Sequence, residues 1–319
     1  MAHQAPISNP FPGLRSFTSE EDSLFFGRET QIRESIARLE QKRFLAVIGS
    51  SGSGKSSLVR AGIIPSLLKH QYHSIGGNWN LMLFRPGENP LARLATALVE
   101  SLKLVPVGQS YEAKFQQIST ALQENPSALA EIIRQHGGGN NTLIVIDQFE
   151  EIFRFKQDII DEYAYIETSI FVNLFLHALQ QMEVPIYVSI TMRADFLSDC
   201  AEFVGLTEAL NEGHYLVPRM SIDERKQAIS KPIILFGGQI SERLVNRLIE
   251  DTGNDPDQLP ILQHALMRTW DFWQSTRLDD QPIDIPHYEA IGTMKEALSR
   301  HAEEVYNELP DIHSRQLAE

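Results

Sequence analysis

Residues 49–56 read Gly-Ser-Ser-Gly-Ser-Gly-Lys-Ser and match the pattern G-x-x-x-x-G-K-[ST] in full. Glycines at these positions let backbone amides turn inward around an anion without side-chain clashes. The apolar run Phe44–Gly49 precedes the pattern and a helix-like stretch, Ser57–Leu68, follows it. A strand, this loop and a helix together form a phosphate-binding turn, because the helix aims its positive end at the anion. The sequence therefore predicts an α/β domain built around the loop.

The pattern also assigns roles within the loop. Lys55 is expected to reach the β- and γ-phosphates of a nucleotide, and the Ser56 hydroxyl is expected to ligate Mg²⁺. The alternative is a flexible Gly/Ser loop, which the flanking strand and helix argue against. The residues predicted to bind the nucleotide here are Gly49, Ser50, Ser51, Gly52, Ser53, Gly54, Lys55, Ser56 and Ser57.

A nucleotide site of this kind needs an aspartate at the tip of a neighbouring strand. Four aliphatic residues, Leu143–Ile146, lead directly into Asp147, which is predicted to belong to the Mg²⁺ shell. Glu150 and Glu151 follow closely, and a glutamate at this place can polarise the attacking water. The two are adjacent, so one at most is expected to face the γ-phosphate. Their alternative role is that of solvated charges at a helix start.

A further run, Ile186–Ile190, reads as a strand that continues through Thr191 and Met192 to Arg193. A polar residue or arginine at such a strand tip can sense the γ-phosphate and stabilise transferring charge, and Arg193 is the residue we predict for this role. The alternative is that Arg193 pairs with Asp195 at the surface.

The remaining pattern places strands and helices in alternation as far as Val217 and only helices beyond it. Alternation predicts βαβ units and a parallel sheet, and short continuous apolar runs predict that both faces of the sheet are covered. Predicted strands cover 44–49, 80–84, 143–146, 186–190 and 214–217, and predicted helices cover 30–39, 57–68, 91–102, parts of 111–136, 158–181, 221–231, 240–250, 259–274 and 288–307.

Composition excludes several classes of protein. The net charge of −14 is a poor match to general phosphate-backbone binding, so nucleic acid is not an expected partner. The single cysteine, Cys200, excludes a disulfide framework and a cysteine-rich zinc site. Apolar runs span only four or five residues, against about 20 for a membrane helix, and the N-terminus lacks the features of a secretory signal. We therefore expect a cytoplasmic protein that does not bind membranes.

In this order and spacing, the motifs resemble those of the STAND class of signalling NTPases, and they are most similar to the bacterial novel STAND group, relatives of the NACHT and NB-ARC ATPases. The resemblance covers nearly the whole chain. The stretches that carry it are Phe11–Phe17, Leu24–Glu29, the phosphate loop, Arg60–Pro65, Arg85–Gly87, Asp147–Glu151, Thr191–Phe196 and Leu259–Leu266.

The resemblance implies two further contacts. Gly27 and Arg28 match a segment that lies against the nucleotide in STAND and AAA+ proteins, although an ordinary turn before a helix is the alternative. Pro260 matches a helix start that contacts adenine in STAND proteins, although proline is common at this helical position in any case. The acidic pair begins three residues after Asp147 rather than immediately after it, so the resemblance does not tell which glutamate is the base.

The fold that follows is a three-layer α/β P-loop NTPase domain with a parallel sheet, then a helical lid domain and a partial winged-helix-like segment. The predicted boundaries are 1–24 for an extended lead-in, 25–217 for the P-loop domain, 218–275 for the lid, and 276–319 for the winged-helix-like segment. This last segment is expected to be truncated, with the chain forming part of a longer protein whose effector and sensor modules are absent from it.

By resemblance, the chain is expected to bind ATP and ADP with Mg²⁺ and to hydrolyse ATP slowly. Hydrolysis would switch it between a closed ADP state and an open ATP state that assembles into a homo-oligomer, in bacterial signalling or defence. Two alternatives stay open: a scaffold that holds nucleotide without hydrolysing it, and an AAA+-type motor that acts on a polymer. Turnover separates the three, since a scaffold shows almost none and a motor is stimulated by its polymer.

Overall fold

The apolar runs of the sequence become the strands of one sheet. The computed structural model describes residues 9–71, 75–108, 110–158, 162–253, 258–276 and 281–308. The strands are β1 (Phe44–Gly49), β2 (Trp79–Phe84), β3 (Asn141–Ile146), β4 (Ile186–Arg193) and β5 (His214–Leu216). They pair in parallel in the order β2-β3-β4-β1-β5. β1 and β3 are buried along their whole length, as strands covered on both faces must be. The predicted three-layer α/β arrangement with a parallel sheet is confirmed.

Helices occupy most of the rest of the described chain. Those that precede or alternate with the strands are α1 (Glu29–Lys42), α2 (Lys55–Ser57), α3 (Ile64–Leu68), α4 (Pro90–Ser101), α5 (Tyr111–Glu124), α6 (Ala128–His136), α7 (Glu151–Asp158), α8 (Glu162–Gln180) and α9 (Leu206–Gly213). Those that follow the last strand are α10 (Ile222–Leu235), α11 (Glu242–Thr252), α12 (Gln258–Thr276), α13 (Ile285–Ala290) and α14 (Thr293–Glu308).

Three segments differ from the sequence predictions. The helix after the phosphate loop contains a π-helical stretch, Leu58–Ile63, between α2 and α3. The single helix predicted over 288–307 is interrupted because Gly292 and Thr293 both have positive φ angles, 84° and 59°. Where an extended lead-in was expected, Ser19–Leu24 form a 3₁₀ helix. The predicted helix over 158–181 includes residues 159–161, which lie outside the described residues, as do residues 1–8 and 309–319.

The chain divides into two compact units. The first, which we call the sheet unit, comprises Thr30–Ser50 and Gly62–Pro218. Its core joins apolar residues of β1, β3 and β4 to those of α4, α6, α8 and α9, and it includes the stacked rings of Phe44 and Phe175. Burial of this continuous apolar surface is the main stabilising contribution to the unit.

The second unit, which we call the helical unit, comprises Met1–Glu29, Ser51–Ala61 and Arg219–Glu319. Its core contains Trp270 and Trp273 of α12, and Phe11 from the N-terminal segment is buried in the same core. The amide Nδ2 of Asn9 donates to the carbonyl of Met267, 3.0 Å away. The N-terminal segment is therefore a packed part of this unit. The four-part division of the chain expected from the sequence, with its winged-helix-like segment, stays a prediction.

Side-chain caps begin several helices of the helical unit. Ser221 and Glu224 form a reciprocal capping box at the start of α10, and the Ser241 hydroxyl accepts from the backbone N–H of Leu244 at the start of α11. Each cap satisfies an amide that the helix itself leaves without a partner. Within the described residues, no helix has both the length and the apolar character that a membrane crossing requires.

Candidate functional site

The glycine-rich loop begins at Gly49, the last residue of β1, at the carboxyl edge of the sheet. Gly52 and Gly54 have φ angles of +66° and +86°, a region in which residues other than glycine are strained. A Cβ atom added to Gly54 would meet no atom of the described residues within 4 Å, so that part of the chain leaves space beside the backbone there. A loop with these angles and this space fits a cradle of backbone amides around a phosphate.

The helical run after the loop starts with Lys55 and Ser56, the two residues predicted to contact phosphate and metal. Its first turn is closed by a hydrogen bond of 2.8 Å from the N–H of Leu58 to the carbonyl of Gly54. The Ser57 hydroxyl instead accepts from the N–H of Phe17, at 3.2 Å. Ser57, predicted to bind nucleotide, thus anchors the N-terminal segment in this structure.

Arg28 and Gly27 have separate surroundings within the helical unit. The buried guanidinium of Arg28 donates to the Ser53 carbonyl over 3.4 Å, so Arg28 touches the phosphate loop itself. Gly27 has φ +82°, and a Cβ added to it would stand 2.4 Å from the carbonyl oxygen of Glu224 in α10. Packing against α10 is therefore sufficient to require glycine at position 27, whatever its relation to a nucleotide.

Asp147 follows β3 directly and is buried, with 1% of its surface exposed. Its Oδ1 accepts a hydrogen bond of 2.7 Å from the Thr191 hydroxyl on β4. β4 lies between β3 and β1, so the carboxyl ends of these three parallel strands meet at one edge of the sheet. In parallel α/β sheets, this edge is where ligands bind.

The adjacent glutamates differ in their contacts. Glu151 is the first residue of α7, and its Oε2 accepts from the N–H of Gly87, 3.0 Å away in the loop after β2. Glu150 is buried, with 6% of its surface exposed. Phe149, immediately before them, is fully buried and packs edge-on against Phe175. That anchor fixes the backbone from which both glutamates project.

Arg193 ends β4 and is the cross-strand partner of Gly49 in the sheet register. Its guanidinium pairs with Asp195 and lies 5.8 Å from the ring centre of Phe196. The pairing with Asp195 is the alternative to γ-phosphate sensing that the sequence left open for Arg193. The structure brings Arg193 to the edge where the phosphate loop begins, while its sensing of a γ-phosphate stays a prediction.

Pro260 lies in the first turn of α12, a position that tolerates proline because the amide there needs no helical partner. It is half-buried, and its neighbours Leu259 and Ile261 pack against the core of the helical unit. These contacts hold the start of α12 in place. The adenine contact of Pro260 stays a prediction.

The predicted site residues are distributed over both units. The sheet unit contains Gly49, Ser50, Asp147, Glu150, Glu151 and Arg193, and the helical unit contains Gly27, Arg28, Ser51, Gly52, Ser53, Gly54, Lys55, Ser56, Ser57 and Pro260.

Thr191 is not among the residues predicted for the site, although its hydroxyl contacts Asp147. The signal was a hydroxyl between the apolar neighbours Ile190 and Met192, where a central strand usually carries aliphatic side chains. Cys200, the one cysteine of the chain, is buried, and burial raises the pKa of its thiol to about 12. It therefore carries no appreciable thiolate at neutral pH and is not a nucleophile.

The chain resembles known proteins in family and in fold. A family model described as Novel STAND NTPase 1 matches residues 10–319. The Walker-type ATPase PABY2304 of Pyrococcus abyssi is 15% identical, with a TM-score of 0.51 over 92% of this chain and 75% of that one. The ORC1 protein of Aeropyrum pernix, solved in complex with DNA, is 13% identical, with a TM-score of 0.54 over 90% of this chain and 69% of that one.

A second Aeropyrum pernix protein, ORC2 in its ADPNP and ADP complexes, is 14% identical, with a TM-score of 0.51 over 87% of this chain and 69% of that one. At such identities these structures share a fold with this chain and establish nothing about its partners. A search of curated protein sequences found no match.

Proposed function

Since the chain belongs to the novel STAND NTPase 1 family and is thus a nucleotide-binding NTPase, we propose that it binds ATP and ADP with Mg²⁺ and hydrolyses ATP slowly. The observation that carries the proposal is the phosphate loop that starts at Gly49 on β1, with Asp147 at the same edge of the sheet. Fixed amides at one strand end and a buried carboxylate at another are what a magnesium–nucleotide complex requires.

The residues present fit both the phosphates and the metal. Gly52 and Gly54 have the left-handed backbone that an amide cradle needs. Ser56 and Asp147 offer a hydroxyl and a carboxylate, and Mg²⁺ prefers oxygen ligands. When bound, Mg²⁺ supplies positive charge that neutralises the charge developing on the phosphates. Lys55 adds a second positive charge at the phosphates, and its part in catalysis is electrostatic.

For the base we propose Glu150, and Glu151 is the runner-up. The Oε2 of Glu151 already accepts from the N–H of Gly87, which ties this side chain to the loop after β2. A base must take or orient a proton of the attacking water, and a carboxylate that is held elsewhere is less suited to this. Arg193 is proposed to stabilise charge on the γ-phosphate after leaving its pairing with Asp195.

Gly27, Arg28 and Pro260 complete the proposed site. Arg28 supports the phosphate loop through the Ser53 carbonyl, and Pro260 is proposed to contact adenine. The family membership supports a further step, in which the exchange of ADP for ATP opens the protein and lets it assemble into a homo-oligomer in bacterial signalling or defence. We place this activity in the cytoplasm. The net charge of −14 argues against nucleic acid as a partner.

The proposal is tested by the binding of ATP and ADP, with and without Mg²⁺, followed by single-turnover hydrolysis and light scattering. The expected result is tight Mg²⁺-dependent binding, slow hydrolysis, and a larger mass with ATP than with ADP. Asp147→Asn is expected to weaken Mg²⁺-dependent binding, whereas the surface variant Asp223→Asn is a matched control. Strong stimulation by DNA would contradict the switch and favour a motor. Binding without any hydrolysis would favour a scaffold.

A further inference from the structure

The hydroxyl of Thr191 is a polar group buried within the sheet. Thr191 lies on β4 between two neighbouring strands, is 1% exposed, and is flanked along the chain by the fully buried Ile190 and Met192. A buried hydroxyl is unfavourable unless it forms hydrogen bonds. Two residues earlier on the same face, the buried Ser189 hydroxyl makes no hydrogen bond to any residue that the structure describes.

Thr191 makes three hydrogen bonds to the turn that follows β3. Its hydroxyl donates to Oδ1 of Asp147 over 2.7 Å, and the same hydroxyl oxygen accepts from the N–H of Gln148 over 2.9 Å. Its carbonyl accepts from the N–H of Phe149 over 2.8 Å. Two of these bonds involve the side chain, so valine, which has nearly the same shape, would lose both.

The turn held by these bonds is strained. Gln148 has φ +59°, a left-handed conformation that is unfavourable for a residue other than glycine. The bond from its N–H to the Thr191 hydroxyl keeps it there. The two side-chain bonds form a chain from the Gln148 N–H through the Thr191 hydroxyl to the Asp147 carboxylate. In a buried setting each hydrogen bond of such a chain polarises and strengthens the next. The hydroxyl therefore contacts both the Asp147 carboxylate and the backbone of the turn that carries it.

We propose that Thr191 is a positioning residue for the metal-binding carboxylate, and this inference rests on the proposed function of Asp147 in the Mg²⁺ shell. Partners that orient a metal ligand commonly change metal affinity by about 10- to 100-fold when they are removed. In this role Thr191 acts through Asp147, to which its hydroxyl donates. Its role is therefore in the Mg²⁺ dependence of binding and not in nucleotide affinity as such.

The test measures fluorescent N-methylanthraniloyl-ADP bound to the full chain during a Mg²⁺ titration, and again in EDTA. Thr191→Val is expected to raise the half-saturating Mg²⁺ concentration about 10- to 100-fold and to leave affinity in EDTA unchanged. Thr191→Ser keeps the hydroxyl and is expected to restore the wild-type Mg²⁺ dependence. Ser189→Ala removes a hydroxyl from the same strand face and is the matched control.

Thr191→Ala provides a second variant without the hydroxyl, and melting curves establish that each protein is folded at the assay temperature. The inference is overturned if folded Thr191→Val or Thr191→Ala keeps the wild-type Mg²⁺ midpoint, or if Thr191→Ser loses it. Equal losses in EDTA and in Mg²⁺ would also overturn it, because they indicate general damage. If the wild-type chain binds no nucleotide, the proposed function fails instead, and the two failures are distinct.

Discussion

Gly27→Ala is a sensitive probe of how the N-terminal segment packs on α10. The new Cβ would stand 2.4 Å from the carbonyl oxygen of Glu224 and 2.9 Å from the end of the Met220 side chain. The methionine can move away, but the carbonyl belongs to the first turn of a helix and can move only with it. In addition, φ at position 27 is +82°, where alanine is strained.

The two effects can be given magnitudes. A left-handed backbone costs a residue with a Cβ about 1–2 kcal/mol, and overpacking against a fixed neighbour costs about 1–3 kcal/mol. Together they predict that Gly27→Ala lowers the free energy of unfolding of the helical unit by about 2–5 kcal/mol. For a unit of this size, the melting temperature should fall by on the order of 10 °C.

Gly237→Ala is the control for the backbone effect alone. Gly237 also has a positive φ, +74°, but a Cβ added there would meet no atom within 4 Å among the residues that the structure describes. Gly237→Ala should lower the free energy of unfolding only by the cost of the left-handed backbone, about 1–2 kcal/mol. Urea unfolding and thermal melts of the nucleotide-free proteins give both values. Equal losses in the two variants would refute the packing argument. Weaker nucleotide binding by Gly27→Ala at unchanged stability would make position 27 a nucleotide contact only.

Three further predictions concern the site and the helical unit. Lys55→Ala should weaken nucleotide binding by about 100-fold, because a charge-assisted contact to phosphate is lost. The control variant Lys69→Ala should bind nucleotide as the wild type does. Titration calorimetry measures both affinities. Glu150→Gln combined with Glu151→Gln should keep ATP bound but slow single-turnover cleavage at least about 100-fold. The control variant Glu183→Gln should cleave ATP at the wild-type rate. Cleavage that survives in the double variant would place the base elsewhere. Burial, with the nearby charges of His301 and Arg268, lowers the pKa of His264 below its ordinary value of 6.5. His264 therefore binds a proton more readily in the unfolded chain than in the folded one, and the free energy of unfolding should fall as the pH drops below about 6.5. The melting temperature of His264→Leu should depend less on pH than that of the wild type.

Local sequence patterns predicted the elements of the sheet well. The run Phe44–Gly49 coincides with β1, and Leu143–Ile146 lies within β3. Short aliphatic runs next to turns predicted buried strands, because a strand covered on both faces carries apolar residues without alternation and the runs are too short for a helix. The glycine pattern at 49–56 likewise identified the loop, because its backbone angles are accessible to few other residues.

Long-range pairings could not be read from the same patterns. The order of the strands places β4 between β1 and β3, and no local property of the residues encodes that neighbour relation. The bonds from Thr191 to the turn at Asp147 join positions 44 residues apart. The packing of Phe11 with residues of α10 and α12 spans more than two-thirds of the chain. Such contacts depend on the tertiary arrangement, and none of them was predicted from the sequence.

The most direct test of the account is to denature the purified protein, identify the released nucleotide by chromatography, and measure phosphate release by the native protein with added ATP and Mg²⁺. A nucleotide-controlled switch predicts that ADP co-purifies with the chain and that turnover is slow. A protein that carries no nucleotide and either fails to bind ATP or turns it over rapidly would contradict the account.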